Sequence, residues 1–303
     1  MGVRKFGMGD EDLVLSLWKR CLAADPVTPE LFREKILLER AFEPDWCLVA
    51  EEGGNVLGFI YSPAAGKVAF VNVIFVDPDH RGKGIGTGLL QSALETHGRA
   101  GRKSVLVSGG PRYFFPGIDV EAYGRAIDFF RKNGFTELNR DSVAMGRSLV
   151  GYRIPSQVLE AGKRLEEVEI FVRHLEPQHL LGLRLFLRDN FPAWEEVAME
   201  TIERHPRELD LIVVALSRGE VVGYCQCASD GLLEHFGPFG VREDMRGKGI
   251  GAVMFHKCLQ GIQAKGCKNV WFAWGGGRNH SFYARHGMAV TRRFATMKAD
   301  LGP

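Results

Sequence analysis

Two rhythms of apolar residues run along this chain of 303 residues, one with a period of two and one recurring every three or four positions. They come in the same order twice. In the first half the strand-like run Arg4–Phe6 precedes two helical stretches, Asp10–Leu22 and Pro29–Glu39, the second with Thr28 as N-cap and Pro29 in its first position. Two further strand-like runs, Trp46–Glu51 and Val56–Tyr61, flank Gly53, Gly54 and Asn55 and predict a hairpin. A strand over Val68–Val76 leads to an amphipathic helix, a short strand Ser104–Ser108 and a last helix over Ala126–Phe135.

The second half repeats this with Val168–Arg173, Pro177–Asp189, Trp194–Arg204, the hairpin Leu211–Leu216 and Val221–Ala228 around Gly219 and Glu220, and then Leu232–Val241. An amphipathic helix, Asn269–Trp274 and Asn279–Met288 complete it. Each half therefore reads β-α-α-β-β-β-α-β-α-β, a mixed α/β domain. A repeat this long is a duplicated domain rather than a solenoid unit. The predicted limits are 1–148 and 167–303, with a linker over 149–166 where Arg153, Pro155 and Gly162 interrupt the pattern. Within that linker Gln157–Glu166 reads as a bridging helix.

The duplication is sharpest in one hexapeptide. Arg-Gly-Lys-Gly-Ile-Gly occurs at Arg81–Gly86 and again 165 positions later at Arg246–Gly251, each time between a strand and a helix. Alternating glycines (Gly82, Gly84 and Gly86; Gly247, Gly249 and Gly251) remove every Cβ from one side of the loop. Backbone N–H groups can then converge on an anion, helped by the positive end of the helix dipole and by Arg81, Lys83, Arg246 and Lys248. The expected ligand is a pyrophosphate or another phosphate group. Neither copy supplies the G-x-x-x-x-G-K-[ST] of a Walker loop. Gly247, Gly249 and Ala252 fit a dinucleotide fingerprint, but the next strand ends in Phe272, Ala273 and Trp274 without the carboxylate that fold needs. The first copy has Thr87 in the final place.

Composition narrows the picture further. With 45% hydrophobic and 25% charged residues, wholesale disorder is excluded. Lys+Arg 39 against Asp+Glu 37 leaves a net charge of +2, which argues against a surface built mainly for nucleic acid. The start carries no apolar segment after its basic residues, and Phe6 breaks the myristoylation pattern. No apolar run reaches the ~18 residues a membrane span needs. Six cysteines without framework spacing predict reduced thiols and a cytoplasmic protein. Cys225, Cys227 and the nearby His235 lack a fourth ligand at a usual spacing, so no metal is expected.

These motifs resemble the GNAT acetyltransferase superfamily in its tandem, two-domain form. The pattern [QR]-x-x-G-x-[GA] is matched by Arg81, Gly84 and Gly86 and by Arg246, Gly249 and Gly251, and Val76-Asp77-Pro78 is a typical lead-in. The later segment A-x-x-[FL]-[YF]-x-[KR]-x-G-F is matched by Ala126, Phe129, Phe130, Lys132, Gly134 and Phe135. Its second copy is Asn279, Phe282, Tyr283, Arg285, Gly287 and Met288. The resemblance implies two tandem domains, each a mostly antiparallel sheet with flanking helices. It also implies acetyl-CoA as co-substrate, its pantetheine lying between two splayed parallel strands. The cofactor-binding residues it implies are Val76, Arg81, Gly82, Lys83, Gly84, Ile85 and Gly86, and in the second half Val241, Arg246, Gly247, Lys248, Gly249, Ile250, Gly251 and Asn279.

Acetyl transfer to an amine needs a base, donors for the tetrahedral oxyanion and an acid for the departing thiolate. The resemblance puts the acid at Tyr283, where the first half has Phe130. It puts the base 11 positions before the loop, at Phe70 in the first half and at His235, with Glu234 beside it, in the second. Gly237, Pro238 and Gly240 break the second strand and predict a splay with free backbone N–H groups. These features place the chemistry in the second half and leave the first as a degenerate copy. The first half carries an insertion of about 12 residues around Gly109–Asp119, rich in aromatics, which predicts an interdomain contact ahead of a lid. That run is similar to one in tandem acetyltransferases acting on glucosamine or glucosaminides. The expected activity is acetyl transfer to a primary amine of a small molecule, with an amino sugar as the candidate and no nucleic-acid or membrane partner. Two alternatives stay open: a non-catalytic acyl-CoA-binding or regulatory module, and an aminoacyl or peptidyl transferase of the same fold.

Overall fold

A computed structural model describes residues 2–107, 109–110, 116–275 and 278–302. Contacts divide the chain into two units, Met1–Val143 with Arg292–Pro303, and Ala144–Thr291.

The first unit runs β1 (Gly2–Lys5), α1 (Asp10–Cys21), α2 (Pro29–Phe32), β2 (Cys47–Glu52), β3 (Asn55–Tyr61), β4 (Ala64–Ala65), β5 (Val68–Phe70), β6 (Val73–Val76), α3 (Ile85–Arg99), β7 (Ser104–Val107), β8 (Ile118–Asp119), α4 (Gly124–Lys132) and the first part of β9 (Thr136–Ser148). Thr28 caps α2 by accepting the Leu31 N–H at 3.2 Å, as its sequence predicts. The α geometry ends at Phe32, however, and Arg33–Leu37 continues as a wider π turn. A four-stranded antiparallel sheet has the order β1-β2-β3-β6. On one face Trp18, Phe32, Phe59 and Phe75 pack ring against ring, with Trp18 5.5 Å from Phe75. Each such ring contributes about 1.5–3 kcal/mol on burial. Trp18 also donates from Nε1 to the Asp25 carbonyl at 2.8 Å, which fixes the loop after α1.

The strand predicted as Val68–Val76 is two strands. β5 pairs in parallel with β7, and the Val71 N–H extends that ladder to Leu106 O at 2.8 Å. At Asn72 the partner changes: its N–H donates to Tyr61 O, and β6 runs antiparallel to β3. A fork therefore opens between β6 and β7.

The second unit repeats the plan with α5 (Ser156–Glu167), β10 (Ile170–His174), α6 (Leu180–Asn190), α7 (Glu195–Arg204), β11 (Ile212–Ser217), β12 (Glu220–Cys227), β13 (Phe236–Val241), α8 (Ile250–Ala264), β14 (Asn269–Gly275), α9 (Arg278–Arg285) and the first part of β15 (Ala289–Asp300). Its sheet has the order β10-β11-β12-β13. The fork recurs: the Trp271 N–H donates to Glu234 O at 3.0 Å, His235 bridges Trp271 in parallel, and β13 then pairs with β12 instead. Gly58 and Gly223 explain how closely the helices after the glycine loops lie on the sheets. A Cβ would come within 3.0 Å of Leu89 at the first and 2.8 Å of Met254 at the second.

The boundaries differ from those predicted. α5 packs on α8 and β10, so residues 149–166 belong to the second unit rather than to a separate linker. Arg292–Pro303 belongs to the first, where Met297 pairs with Val107, Asp300 with Ser104 and Phe294 with Asp119. A period-two pattern marks a strand but says nothing of which sheet edge receives it. Of the predicted insertion, residues 111–115 lie outside the described residues.

Candidate functional site

Two glycines of each loop adopt a backbone conformation that only glycine takes without strain. Gly82 and Gly84 sit at φ 77° and 81°, Gly247 and Gly249 at 78° and 88°, in the left-handed region that other residues reach only with strain. Gly84 and Gly249 are the N-caps of α3 and α8, so the first-turn N–H groups of each helix point into the loop without a partner inside the helix. Within 4 Å of a Cβ built on Gly82, Gly84 or Gly247 there is nothing, and the space over the amides is open. Arg81 and Arg246 fold back instead of reaching forward. Each donates from Nε to the carbonyl that ends the preceding strand, Val76 at 3.1 Å and Val241 at 3.0 Å. They brace the loop, while Lys83 and Lys248 stay exposed. Ile85 and Ile250 are buried anchors of the two helices.

In the first unit the loop opens into a cavity of about 1230 Å³. Its walls are the fork strand Val71–Val76, the loop Gly82–Gly86, the α4 side chains Phe129 and Phe130, and the segment Cys21–Asp25. Another wall is a charge clamp. Arg292 donates to both oxygens of Asp25 at 2.6 and 2.8 Å and to Asp119 Oδ2 at 2.5 Å. Asp119 Oδ1 accepts the Glu121 and Ala122 N–H groups, each at 2.9 Å. Burial opposes the charge on Asp119, but the Ala122 amide, Arg292 and the Glu121 amide outweigh it and hold its carboxyl below the usual range. Tyr123 lines the same wall; burial, and then the charge of Asp25, push its phenol up. At the apex of the fork Asn72 is 8% exposed and accepts the Gly110 N–H at Oδ1, 3.0 Å away, while its Nδ2 has no partner among the described residues.

The second unit treats the same positions differently. β6 and β13 share a register, so Phe239 opposite Cys225 stands where Ile74 stands opposite Ile60. The Phe239 ring lies over the first turn of α8, within 3.2 Å of a Cβ built on Gly251, and 5.6 Å from the ring of Phe282. Tyr283 is buried among five phenylalanines, from Phe272 at 4.5 Å to Phe236 and Phe239 at 6.2 Å, and burial pushes its phenol up. The hydroxyl therefore keeps its proton across the physiological range. His235 stacks on Trp271 at 4.4 Å, and its Nδ1 lies 2.8 Å from the Asp230 carboxylate. Glu234 beside it gives its backbone carbonyl to Trp271. Since neighbouring strand residues face opposite ways, His235 points away from the face on which Phe236 meets Tyr283. A substrate touching both would have to lie in the gap between β13 and β14. At the second loop a cavity of about 430 Å³ opens toward α5, lined by Arg164, Leu165 and Lys248 among others. The side chain of Asn279 lies outside the described residues.

Asp25, Asp119, Arg292 and Tyr123 carried no signal in the pattern. Asn72 did, as a lone amide in an apolar strand. Among the described residues no three His, Cys, Asp or Glu side chains cluster as a metal site requires, and no helix is long and apolar enough to cross a membrane.

Residues 43–137 match a family model described as an acetyltransferase (GNAT) domain, and residues 181–288 one described as the acetyltransferase (GNAT) family. An acetyltransferase of Photorhabdus laumondii is 30% identical over 151 residues, half of this chain and 96% of its own length. An uncharacterized N-acetyltransferase of Methanocaldococcus jannaschii is 36% identical over 110 residues, 34% of this chain and 43% of its own, so the chain spans less than half of that relative. Among solved structures, the glucosamine N-acetyltransferase region of a fungal multi-domain β-N-acetylglucosaminidase has a TM-score of 0.83 at 20% identity, covering 98% of this chain and 38% of that one. A tandem GNAT protein from the clavulanic acid biosynthesis pathway has a TM-score of 0.66 at 17% identity, covering 100% and 99%. At those identities the likeness is one of fold.

Proposed function

The chain belongs to the GNAT acetyltransferase family, with two copies of its domain, and from that premise we propose that it transfers an acetyl group from acetyl-CoA to a primary amine of a small molecule. The first unit holds the acetyl-CoA in this reading. What supports it is the cavity of about 1230 Å³ that joins the glycine loop to the fork between β6 and β7. The residues present suit the ligand: left-handed glycines with open space above them, unpaired first-turn amides for a pyrophosphate, and a largely apolar slot for the pantetheine. The ammonium first gives a proton to water, and the neutral amine nitrogen attacks the thioester carbon. The carbonyl oxygen takes up negative charge, the nitrogen releases a second proton to water, and collapse expels the thiolate, which takes a proton from water. Arg292 neutralises one of two buried carboxylates in the wall, so the clamp keeps one negative charge in excess near an arriving ammonium. The acceptor proposed is an amino sugar, a class named for the fungal neighbour.

A second reading puts the transfer in the second unit, on Tyr283, His235 or Glu234. Its support is that Tyr283 carries a protonated hydroxyl beside the second fork, where Phe130 has none. Titration calorimetry of CoA into Gly84→Glu and Gly249→Glu, with turnover on glucosamine measured alongside, separates the two. Loss of affinity and turnover in Gly84→Glu alone is the expected result. Loss in Gly249→Glu alone transfers the site to the second unit, and loss in neither refutes the loop assignment.

A further inference from the structure

Asn72 stands at the one point where the first unit's strand leaves β7 for β3. Its side chain lies across the opening fork, because Gly110, which it holds, follows β7 on the far side. A Cβ at Gly110 would lie 2.6 Å from the Phe70 ring, so glycine alone lets that backbone approach. The Gly110 N–H is a donor and needs an acceptor, which fixes the amide with Oδ1 toward Gly110. Nδ2 is then left buried beside the cavity with no partner among the described residues. Buried amide nitrogens are rarely left so, and such a group calls for a missing acceptor. The corresponding place in the second unit is Gly237, 165 positions on, which has no side chain to offer.

Resting on the reading that the first unit binds acetyl-CoA, we propose that the Asn72 Nδ2 donates a hydrogen bond to the carbonyl oxygen of the acetyl thioester. The donor is already oriented by Gly110, so nothing has to reorganise as the charge develops. When the amine nitrogen bonds to the thioester carbon, the C=O electron pair moves to that oxygen and the hydrogen bond strengthens. When the tetrahedral centre collapses, the C=O re-forms and the C–S bond breaks. The proton released by the amine and the one gained by the thiolate exchange with water. Asn72 is thus a catalytic residue that touches the reacting atoms.

The test uses the full chain with two variants, Asn72→Asp and Asn72→Leu. Aspartate keeps the acceptor for Gly110 but replaces the donor, whereas leucine removes both. CoA and acetyl-CoA affinities are measured by calorimetry, and turnover by thiol release. The expected result for Asn72→Asp is CoA affinity within about twofold of wild type, acetyl-CoA affinity several-fold weaker, and kcat lower by about 10²-fold, the scale of one lost oxyanion donor. If CoA and acetyl-CoA weaken equally, the amide serves the pantetheine or only the fork, and the proposal fails. It fails too if affinities and kcat are unchanged. Asn72→Leu checks folding: its collapse with an intact Asn72→Asp shows that Oδ1 is structural and leaves the role of Nδ2 to be read from the aspartate. If wild-type CoA binding survives Gly84→Glu, the fault lies instead with the assignment of the first unit as the CoA site.

Discussion

Lowering the pH from 7 to 5 should destabilise the second unit, with His256 the histidine shifted furthest among His174, His256 and His286, all held below the ordinary value chiefly by burial. His256 is 1% exposed in α8, with its Nδ1 against the Tyr152 hydroxyl and its Nε2 2.9 Å from His286 Nδ1. Arg147 lies 4.8 Å over the Tyr152 ring and donates to His286 O at 2.8 Å. Burial first, then His286 and Arg147, push the imidazole from its ordinary 6.5 down to about 4. The native state therefore keeps His256 neutral where the unfolded chain protonates it. Stability is fully present above pH 6.5 and is lost as pH falls, until the native histidine also titrates near pH 4. At 1.36 kcal/mol per pH unit this amounts to about 2 kcal/mol between pH 7 and 5, and about 3 kcal/mol by pH 4. Two units need not unfold together, so the assay is urea titration followed by amide exchange of α8 itself. His256→Gln removes the titrating group and should flatten the pH dependence by about 2 kcal/mol over that interval. Parallel loss in wild type and variant would refute the reasoning, since the proton uptake would then lie elsewhere.

Two further outcomes bear on the division between the units. Tyr283→Phe keeps the ring and so the packing; turnover should stay within about threefold, and a fall of 10²–10³-fold, the range for a positioned general acid, would move the transfer to the second unit. Phe239 is half-buried, so Phe239→Ala should cost about 1–2 kcal/mol in urea titration of the second unit, less than truncation of a fully buried phenylalanine. It should also add a second CoA-binding event in calorimetry; unchanged stoichiometry would show that Phe239 is not what separates the forks.

The order of elements was legible because apolar periodicity is local, and the glycine loops because left-handed φ needs glycine wherever it occurs. The break of Val68–Val76 into β5 and β6 was not, since every residue there suits a strand and only the change of hydrogen-bond partner at Asn72 divides it. Arg292 and Asp25 are 267 positions apart, and neither stands out in its own segment. The same limit explains the fate of Arg292–Pro303, whose pattern marks a strand but not its partner. Motif matching also weighed the halves by functional groups, where Tyr283 and His235 stand against Phe130 and Phe70. A motif carries no information on the space those groups would need.

Space is where the two copies part. A fork between strands is a packing defect unless something fills it. In the second unit aromatic side chains crowd it: Phe239, half-buried, reaches the first turn of α8 and meets Phe282 and Tyr283. In the first, Ile74 leaves the fork open, and the polar groups around it are either clamped, as Asp25 and Asp119 are by Arg292, or left waiting, as Asn72 Nδ2 is. An open fork costs stability without ligand and regains it with ligand, by RT ln(1 + [L]/Kd) for whatever binds the folded form alone. A fork crowded by its own side chains has less to gain in that way. A unit that stores its stabilisation in aromatic packing can tolerate the loss of a binding role, whereas a unit that leaves a buried amide unpaired cannot do so without penalty. On this physical ground the first unit, despite having phenylalanine at both expected catalytic positions, is the better candidate for the acetyl-CoA site.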